Sequence, residues 1–187
     1  NAKYKMLKSV YQNGGFWVGR YESGIATNRT SGGPTTVIPV TKANMYPYTY
    51  VTRTQAKTLA ESVESGSYTS SLMFEIQWNL VLKYMEGKNN ITVDKLTQNS
   101  TSIGNYNNNY WNITNQSVKY SKNYGVEFKN APYQKDKNED ILLTTGADDS
   151  FSIANIYDIA GNVWEWTLGK AANDENPCVC NGGSLIY

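Results

Sequence analysis

The chain has 187 residues, with 17 Lys and Arg against 16 Asp and Glu, so its formal net charge is +1. This length fits one domain over residues 1–187, and the balanced charge and lack of an apolar run near ~20 residues argue against nucleic-acid or membrane contact within this chain. Histidine is absent and cysteines number two, which excludes Ser-His-Asp and Cys-His nucleophile pairs and a usual four-ligand zinc site.

The N-terminal third of the chain predicts one helix and two short strands. Apolar residues at helical spacing indicate a weak, basic helix over residues 1–12. A glycine turn follows, and residues 16–22 then read as a strand. Residues 35–40 are rich in β-branched side chains and also read as a strand, with Pro39 marking an edge or an end.

Two further helices are predicted in the middle of the chain. Thr52, with Gln55 three residues later, forms the capping-box pattern, so a helix should begin there and stop before Gly66. A second helix is predicted over residues 74–86. Its apolar side chains lie almost all round the helix, so we expect it to be largely buried.

A stretch near the C-terminus reads Asn-Ile-Tyr-Asp-Ile-Ala-Gly-Asn-Val-Trp-Glu-Trp-Thr. Asp158 and the Gly161-Asn162 pair predict a turn, because Gly accepts positive φ and Asx side chains bond their own backbone there. Alternation after the turn places Trp164 and Trp166 on one face of a strand. We therefore expect the two tryptophans to anchor a core.

This stretch resembles the Asp/Asn-x-x-Gly-Asn-Val/Ala-Trp-Glu-Trp signature of the formylglycine-generating-enzyme (sulfatase-modifying factor) family, a variant of the C-type lectin fold. Three further matches lie in the expected order, at residues 15–22, 74–79 and 182–184. The resemblance spans nearly the whole chain. It implies an α+β, C-type lectin-like fold of the formylglycine-generating-enzyme type, in which two helices pack on small irregular antiparallel sheets with long loops.

The same resemblance implies a calcium site. By spacing, Asp158 would give a side-chain oxygen, Gly161 and Val163 backbone carbonyls, and Glu165 a carboxylate. Hard oxygen ligands at a tight turn suit Ca²⁺, which tolerates irregular coordination. In the alternative interpretation, Asp158 caps the turn and Glu165 pairs with a Lys or a backbone amide.

The family's catalytic activity is a copper-dependent oxidation at a pair of cysteines that follow the Gly-Gly-Ser segment. Here Cys178 and Cys180 precede Gly182-Gly183-Ser184, so the catalytic positions do not match. We assign no catalytic residue. A formylglycine-generating-type oxidase, with catalytic cysteines absent from or beyond this chain, stays an alternative function.

The segment over residues 98–124 is rich in Asn, Tyr, Ser and Thr. Tyr and Trp supply stiff contact area, while Asn and Ser supply adaptable hydrogen bonds, so this composition is typical of binding surfaces. We predict Tyr106, Tyr110 and Trp111 as ligand-binding residues for a protein or glycan. The alternative is a polar surface loop with incidental aromatics.

The C-terminal residues 185–187 read as the start of an apolar strand, so we expect further strands after residue 187, or a partner that supplies the missing edge by self-association or strand addition. The sequence as a whole predicts a non-catalytic, extracellular or cell-surface binding or structural module, part of a cell-surface, pilus or phage appendage. A structural filament subunit is the remaining alternative.

Overall fold

The computed structural model describes residues 2–63, 66–89, 91–96, 98, 103–170 and 179–186. Within these residues the chain is a mixed α+β protein with four helices and small antiparallel sheets. The helices are α1 (Ala2–Asn13), α2 (Arg53–Glu61), α3 (Glu75–Asn89) and α4 (Val93–Leu96). None of them is long and apolar enough to cross a bilayer.

Each strand has only two or three residues, so the sheets are small and separate. The strands are β1 (Gly24–Ile25), β2 (Tyr46–Pro47), β3 (Trp111–Ile113), β4 (Lys119–Ser121), β5 (Lys129–Asn130), β6 (Tyr133–Lys135), β7 (Leu142–Leu143), β8 (Ser152–Ile153), β9 (Ile156–Tyr157), β10 (Glu165–Trp166) and β11 (Cys180–Asn181). In the described part of the chain β5-β4-β7 form a three-stranded sheet, and β1-β2, β3-β6, β8-β9 and β10-β11 form pairs.

The three predicted helices form at the expected positions, but the predicted burial of one of them, α3, was wrong. Helix α1 forms as predicted, although none of its side chains is buried. Thr52 caps α2 through the predicted reciprocal bonds with Gln55. Helix α3 buries only one face, so the prediction that it would be largely buried was wrong. The buried apolar residues are Trp78, Val81, Leu82 and Met85, and the exposed apolar ones are Ile76, Leu80 and Tyr84.

Several predicted strands do not form. Residues 16–22 are irregular, because their backbone makes single hydrogen bonds, such as Tyr157 N to Arg20 O at 2.8 Å, and no continuous ladder. Residues 35–40 contribute one bridge, at Val40. Residues 185–186 form a turn and not a strand.

The tryptophans after the predicted turn do not anchor the core as expected. Trp164 is 54% exposed, and Trp166 is half-buried with its indole N–H donating to Val51 O at 3.1 Å. Trp164 departs from the predicted alternation because the strand begins only at Glu165, and Asn162 before it has a left-handed backbone conformation. The most buried tryptophans are Trp78 and Trp111, which are 7% and 6% exposed.

Those two tryptophans belong to two separate hydrophobic clusters. The first cluster packs α3 and α4 against residues 103–106 and 153–160, and it contains Trp78, Met85, Leu96, Tyr106 and Ile159. The second lies among β3, β4 and β7 and contains Trp111, Ile113, Val118, Leu143 and Phe151. The turn at residues 158–162 gives Ile159 and Ala160 to the first cluster, and its polar residues Asp158 and Asn162 are buried as well.

Candidate functional site

The turn at residues 158–162 forms as predicted. Asp158, Gly161 and Asn162 have φ values of 57°, 77° and 61°, the left-handed region that Gly and Asx residues tolerate best. Gly161 is required for a second reason. A Cβ atom there would lie 2.6 Å from the carbonyl oxygen of Asn105, whose segment runs parallel beside the turn.

The side chain of Asn162 is buried and fully hydrogen-bonded. Its amide nitrogen donates to Glu22 Oε2 at 3.0 Å and to Leu143 O at 3.2 Å. Its oxygen accepts from Leu143 N and from Asn105 Nδ2, each at 3.0 Å. One asparagine therefore makes four hydrogen bonds to three distant residues, since a primary amide offers two donors and an acceptor with two lone pairs.

Asn105 extends this network into the second cluster. Its nitrogen also donates to Ile141 O at 2.5 Å, and its oxygen accepts from the indole N–H of Trp111 at 3.0 Å. The turn backbone joins as well, because Asn162 N donates to Asn105 O at 2.9 Å and Leu185 N donates to Asn162 O at 3.0 Å. Sequence reasoning predicted the turn but missed this network, whose members lie far apart along the chain.

Three carboxyl groups lie in and around this network: Glu22, Asp158 and Glu165. Asp158 Oδ2 accepts a 2.6 Å hydrogen bond from Gly146 N. The two glutamates each keep one buried oxygen, Oε1 of Glu22 and Oε2 of Glu165, that has no hydrogen-bond partner among the described residues. Glu22 was not predicted as a site residue, although it ends the stretch that resembles the family's first strand.

Burial raises the pKa of all three carboxyl groups. It raises the pKa of Asp158 from 3.8 to about 7, and the bond from Gly146 opposes this only in part. The pKa values of Glu22 and Glu165 are raised first by burial and then by neighbouring carboxylates, Asp158 for Glu22 and both others for Glu165. The described ion pairs, Lys57–Glu61, Lys83–Glu86 and Lys122–Glu139, include none of the three.

One observation supports the predicted calcium ligands, namely the environment of Glu165. The buried, unpartnered Oε2 of Glu165 is the kind of oxygen that a hard cation would satisfy. No three His, Cys, Asp or Glu side chains in the described ranges converge as a metal-binding group, so a cation would need the backbone carbonyls of Gly161 and Val163 besides Asp158. In the alternative interpretation Asp158 caps the turn, but its observed bond comes from Gly146, which lies outside residues 158–162.

A cleft of about 320 Å³ opens beside this region, between α3 and the segment at residues 180–183. Its lining includes Trp78, Leu82, Tyr106, Ile159 and Trp164. Glu165 lies directly behind the cleft wall, because a Cβ atom on Gly182 would lie 1.9 Å from Glu165 Oε2. Gly182 has φ 87°, so the backbone conformation and the close carboxylate both favour glycine there.

Tyr106 connects the cleft to the acidic groups. Its hydroxyl donates to Gly182 O at 3.2 Å, and its ring lines the cleft. Burial, and then the charge of Glu165, raises the pKa of Tyr106 to about 12. The electrostatic field of Glu165 therefore reaches a side chain on the surface of the cleft.

The structure does not bring the three predicted ligand-binding residues together. Tyr106 is buried in the first cluster and lines the cleft, whereas Tyr110 is 53% exposed. Trp111 is only 6% exposed and packs edge-on against Phe151 and Tyr133, so a surface contact through Trp111 is not supported. The alternation of Trp111 and Ile113, both inward on β3, was the sequence signal for this burial.

The cysteines can be placed only in part. Cys178 lies outside the described residues, and Cys180 is an exposed residue of β11, opposite Trp166 in register. The structure thus adds no support for a catalytic cysteine pair. Comparison of the chain with protein-family models, with curated proteins and with solved structures found no match.

Proposed function

We propose that this chain is a non-catalytic, surface-displayed ligand-binding module of the extracellular or cell-surface type, built on a C-type lectin-like scaffold of the formylglycine-generating-enzyme kind. The observation that carries the proposal is the cleft beside α3. Core aromatics form its floor, and the exposed indole of Trp164 stands at its rim. Its volume of about 320 Å³ lies at the small end of the range for ligand sites.

An exposed tryptophan at the mouth of a cleft is a common arrangement for recognition. The indole offers a large apolar face at little cost in side-chain entropy. Asn181 adds a polar group to the lining, and its Nδ2 is buried without a hydrogen-bond partner among the described residues. A small polar ligand, or one side chain of a larger partner, matches this mixture of surfaces.

Fluorine NMR on protein labelled with 5-fluorotryptophan tests the binding function. The five tryptophans give separate probes, assigned by single Trp→Phe substitutions. In a titration with a fragment library, ligands of the cleft should shift the Trp164 and Trp78 signals. The Trp17 and Trp111 signals should stay fixed, since Trp17 is fully exposed and Trp111 lies in the other cluster. A library in which no fragment produces this pattern contradicts the proposal.

Calcium is the second part of the proposal. Asp158 and Glu165 would hold Ca²⁺ with their carboxylates, and Gly161 and Val163 with backbone carbonyls. The bound ion would neutralise buried negative charge and stabilise the turn. The support is the unpartnered oxygen of Glu165 and the raised pKa values of the buried carboxyl groups.

Thermal unfolding with and without Ca²⁺ at pH 7.5 tests the metal. We expect Ca²⁺ to raise the Tm of the wild type and not that of Glu165→Gln, because the variant loses a charged ligand. Glu61→Gln, which removes an exposed acid on α2, should respond like the wild type. A Tm indifferent to both Ca²⁺ and chelator, with no metal by elemental analysis, would rule the site out.

A further inference from the structure

The cleft has one more property, which concerns charge. No Lys or Arg lines it among the described residues, and the ionisable group directly behind its wall is the carboxyl of Glu165. The group behind the wall is therefore an acid whose ionised form a cationic ligand would stabilise, whereas an anionic ligand would find no compensating cation in the described lining.

The cleft is also lined by aromatic rings, which favour a cationic ligand. Trp78, Tyr106 and Trp164 present aromatic rings to the same small volume, and aromatic faces attract cations through the ring quadrupole. The attraction is stronger in a partly desolvated position, such as a cleft whose floor belongs to a hydrophobic cluster. The aromatic rings and the carboxyl group behind them would both favour the binding of a cation.

We propose that this cleft binds an alkylammonium group, held against the rings of Trp78, Tyr106 and Trp164 in front of the Glu165 carboxylate. The inference rests on the proposed binding function and names the chemistry of its ligand. The group could belong to a free quaternary amine or to an alkylated lysine of a polypeptide, since both present the same cation.

Two ligands of nearly equal shape isolate the effect of charge. Choline carries a trimethylammonium head, and 3,3-dimethylbutan-1-ol is its neutral isostere. Each is titrated into the fluorotryptophan-labelled protein, and Kd is read from the Trp164 signal. We expect choline to bind at least about fivefold more tightly than the alcohol, as expected for a cation against aromatic faces.

Substitutions then locate the binding site. Trp164→Ala, followed through the Trp78 signal, should weaken choline binding about fivefold or more, and Trp164→Phe should recover part of it. Trp17→Ala removes a 99% exposed indole elsewhere and should leave the Kd unchanged. Glu165→Gln should weaken choline binding and spare the neutral alcohol. A trimethyllysine peptide, compared with its unmodified form, shows whether a polypeptide can supply the cation.

Each result bears on the inference. Equal affinity for choline and the alcohol, or an unchanged choline Kd in Trp164→Ala, would overturn it. If choline fails to bind while neutral fragments shift Trp164 and Trp78, the cation inference is wrong and the binding function survives. If no ligand of either kind shifts those two signals, both proposals fail together.

Discussion

Asn162 combines two demands that few residues meet together. Its backbone lies at φ 61°, where Asn is among the tolerated residues, and its side chain must both donate and accept inside the protein. Asp would lack the donor and Gly would lack both groups. The position therefore constrains the chain through chemistry as well as conformation.

Replacing Asn162 with Ala should lower the free energy of unfolding by at least about 3 kcal/mol, because Leu143 N and Asn105 Nδ2 each lose a buried acceptor. Denaturant unfolding measures the loss. Asn138→Ala is the matched control, since Asn138 has φ 68° but is exposed, so it reports the backbone cost alone. Equal losses in the two variants would show that the side-chain network contributes little.

The pKa of Asp158 makes stability depend on pH. Its folded pKa of about 7 exceeds its ordinary value of 3.8, so between those values the folded state binds more protons than the unfolded state. In chelator, the free energy of unfolding should therefore fall as pH rises from about 4 to 7, by about 1.4 kcal/mol per pH unit for each retained proton.

Asp158→Asn provides the comparison for that pH profile. An amide oxygen can still accept from Gly146 N, and Asn tolerates the backbone φ of 57°. The variant should show a shallower slope across the same pH range in urea unfolding. A wild-type profile that is flat, or that rises toward pH 7, would contradict the raised pKa of Asp158.

For single residues, the sequence predicted local backbone conformation but not hydrogen-bond partners that lie far away along the chain. Gly161 and Asn162 predict a turn, because both residues favour turn conformations. The partner of Asn162 at Glu22 lies 140 residues away, and no local pattern indicates it. The exposure of Trp164 was missed for a related reason, since alternation was counted from a residue that is not yet in a strand.

Helix α3 shows what periodicity can and cannot decide for an element. Its apolar residues occur on every side, so the sequence does not say which side faces the core. The structure turns Trp78, Val81 and Met85 inward against residues 103–106 and 153–160. The choice is made by contacts with distant segments, so it could not be predicted from the helix alone.

A pair of substitutions on α3 tests this orientation. Met85 is completely buried, so Met85→Ala should cost about 2–5 kcal/mol of unfolding free energy through lost burial and a cavity. Leu80 is 50% exposed, so Leu80→Ala should change stability by no more than about 0.5 kcal/mol. Comparable losses in denaturant unfolding would mean that both faces are buried.

Strands were harder to predict than helices because they are so short. A run of two residues shows no alternation and a run of three shows it once, as at Trp111 and Ile113. Side-chain hydrogen bonds from Asn105 and Asn162 replace part of what a longer ladder would supply. Capping of α2 was predictable, because the Thr52–Gln55 contact spans a single turn.

At the scale of the whole molecule, α1 stands apart. It is a twelve-residue helix with no buried side chain, and helices of that length are marginal in water on their own. Deleting residues 1–13 should therefore change the Tm by little, equivalent to less than about 1 kcal/mol. Differential scanning calorimetry of the two proteins makes the comparison, and a large drop in Tm would show that α1 packs on the domain.

The α+β class could be predicted from the sequence and is confirmed by the helices and antiparallel sheets of the described chain. The C-type lectin-like arrangement remains a prediction. The candidate site was predictable in part, because Tyr106, Asp158 and Glu165 carry recognisable chemistry. The cleft was not, since it is formed by α3, residues 180–183 and Trp164 only after the chain has folded.

The hydrogen bonds of Asn162 also bear on how the protein reaches its fold. They connect residues 19, 57 and 140 positions apart, so much of the chain must be ordered before any of them forms. Contacts of such long range slow folding, because loop-closure entropy is lost before they can offset it. On the ribosome the hydrogen bond between Asn162 and Glu22 cannot form until residue 162 has emerged. Glu22 is therefore synthesised well before the residue that completes its packing.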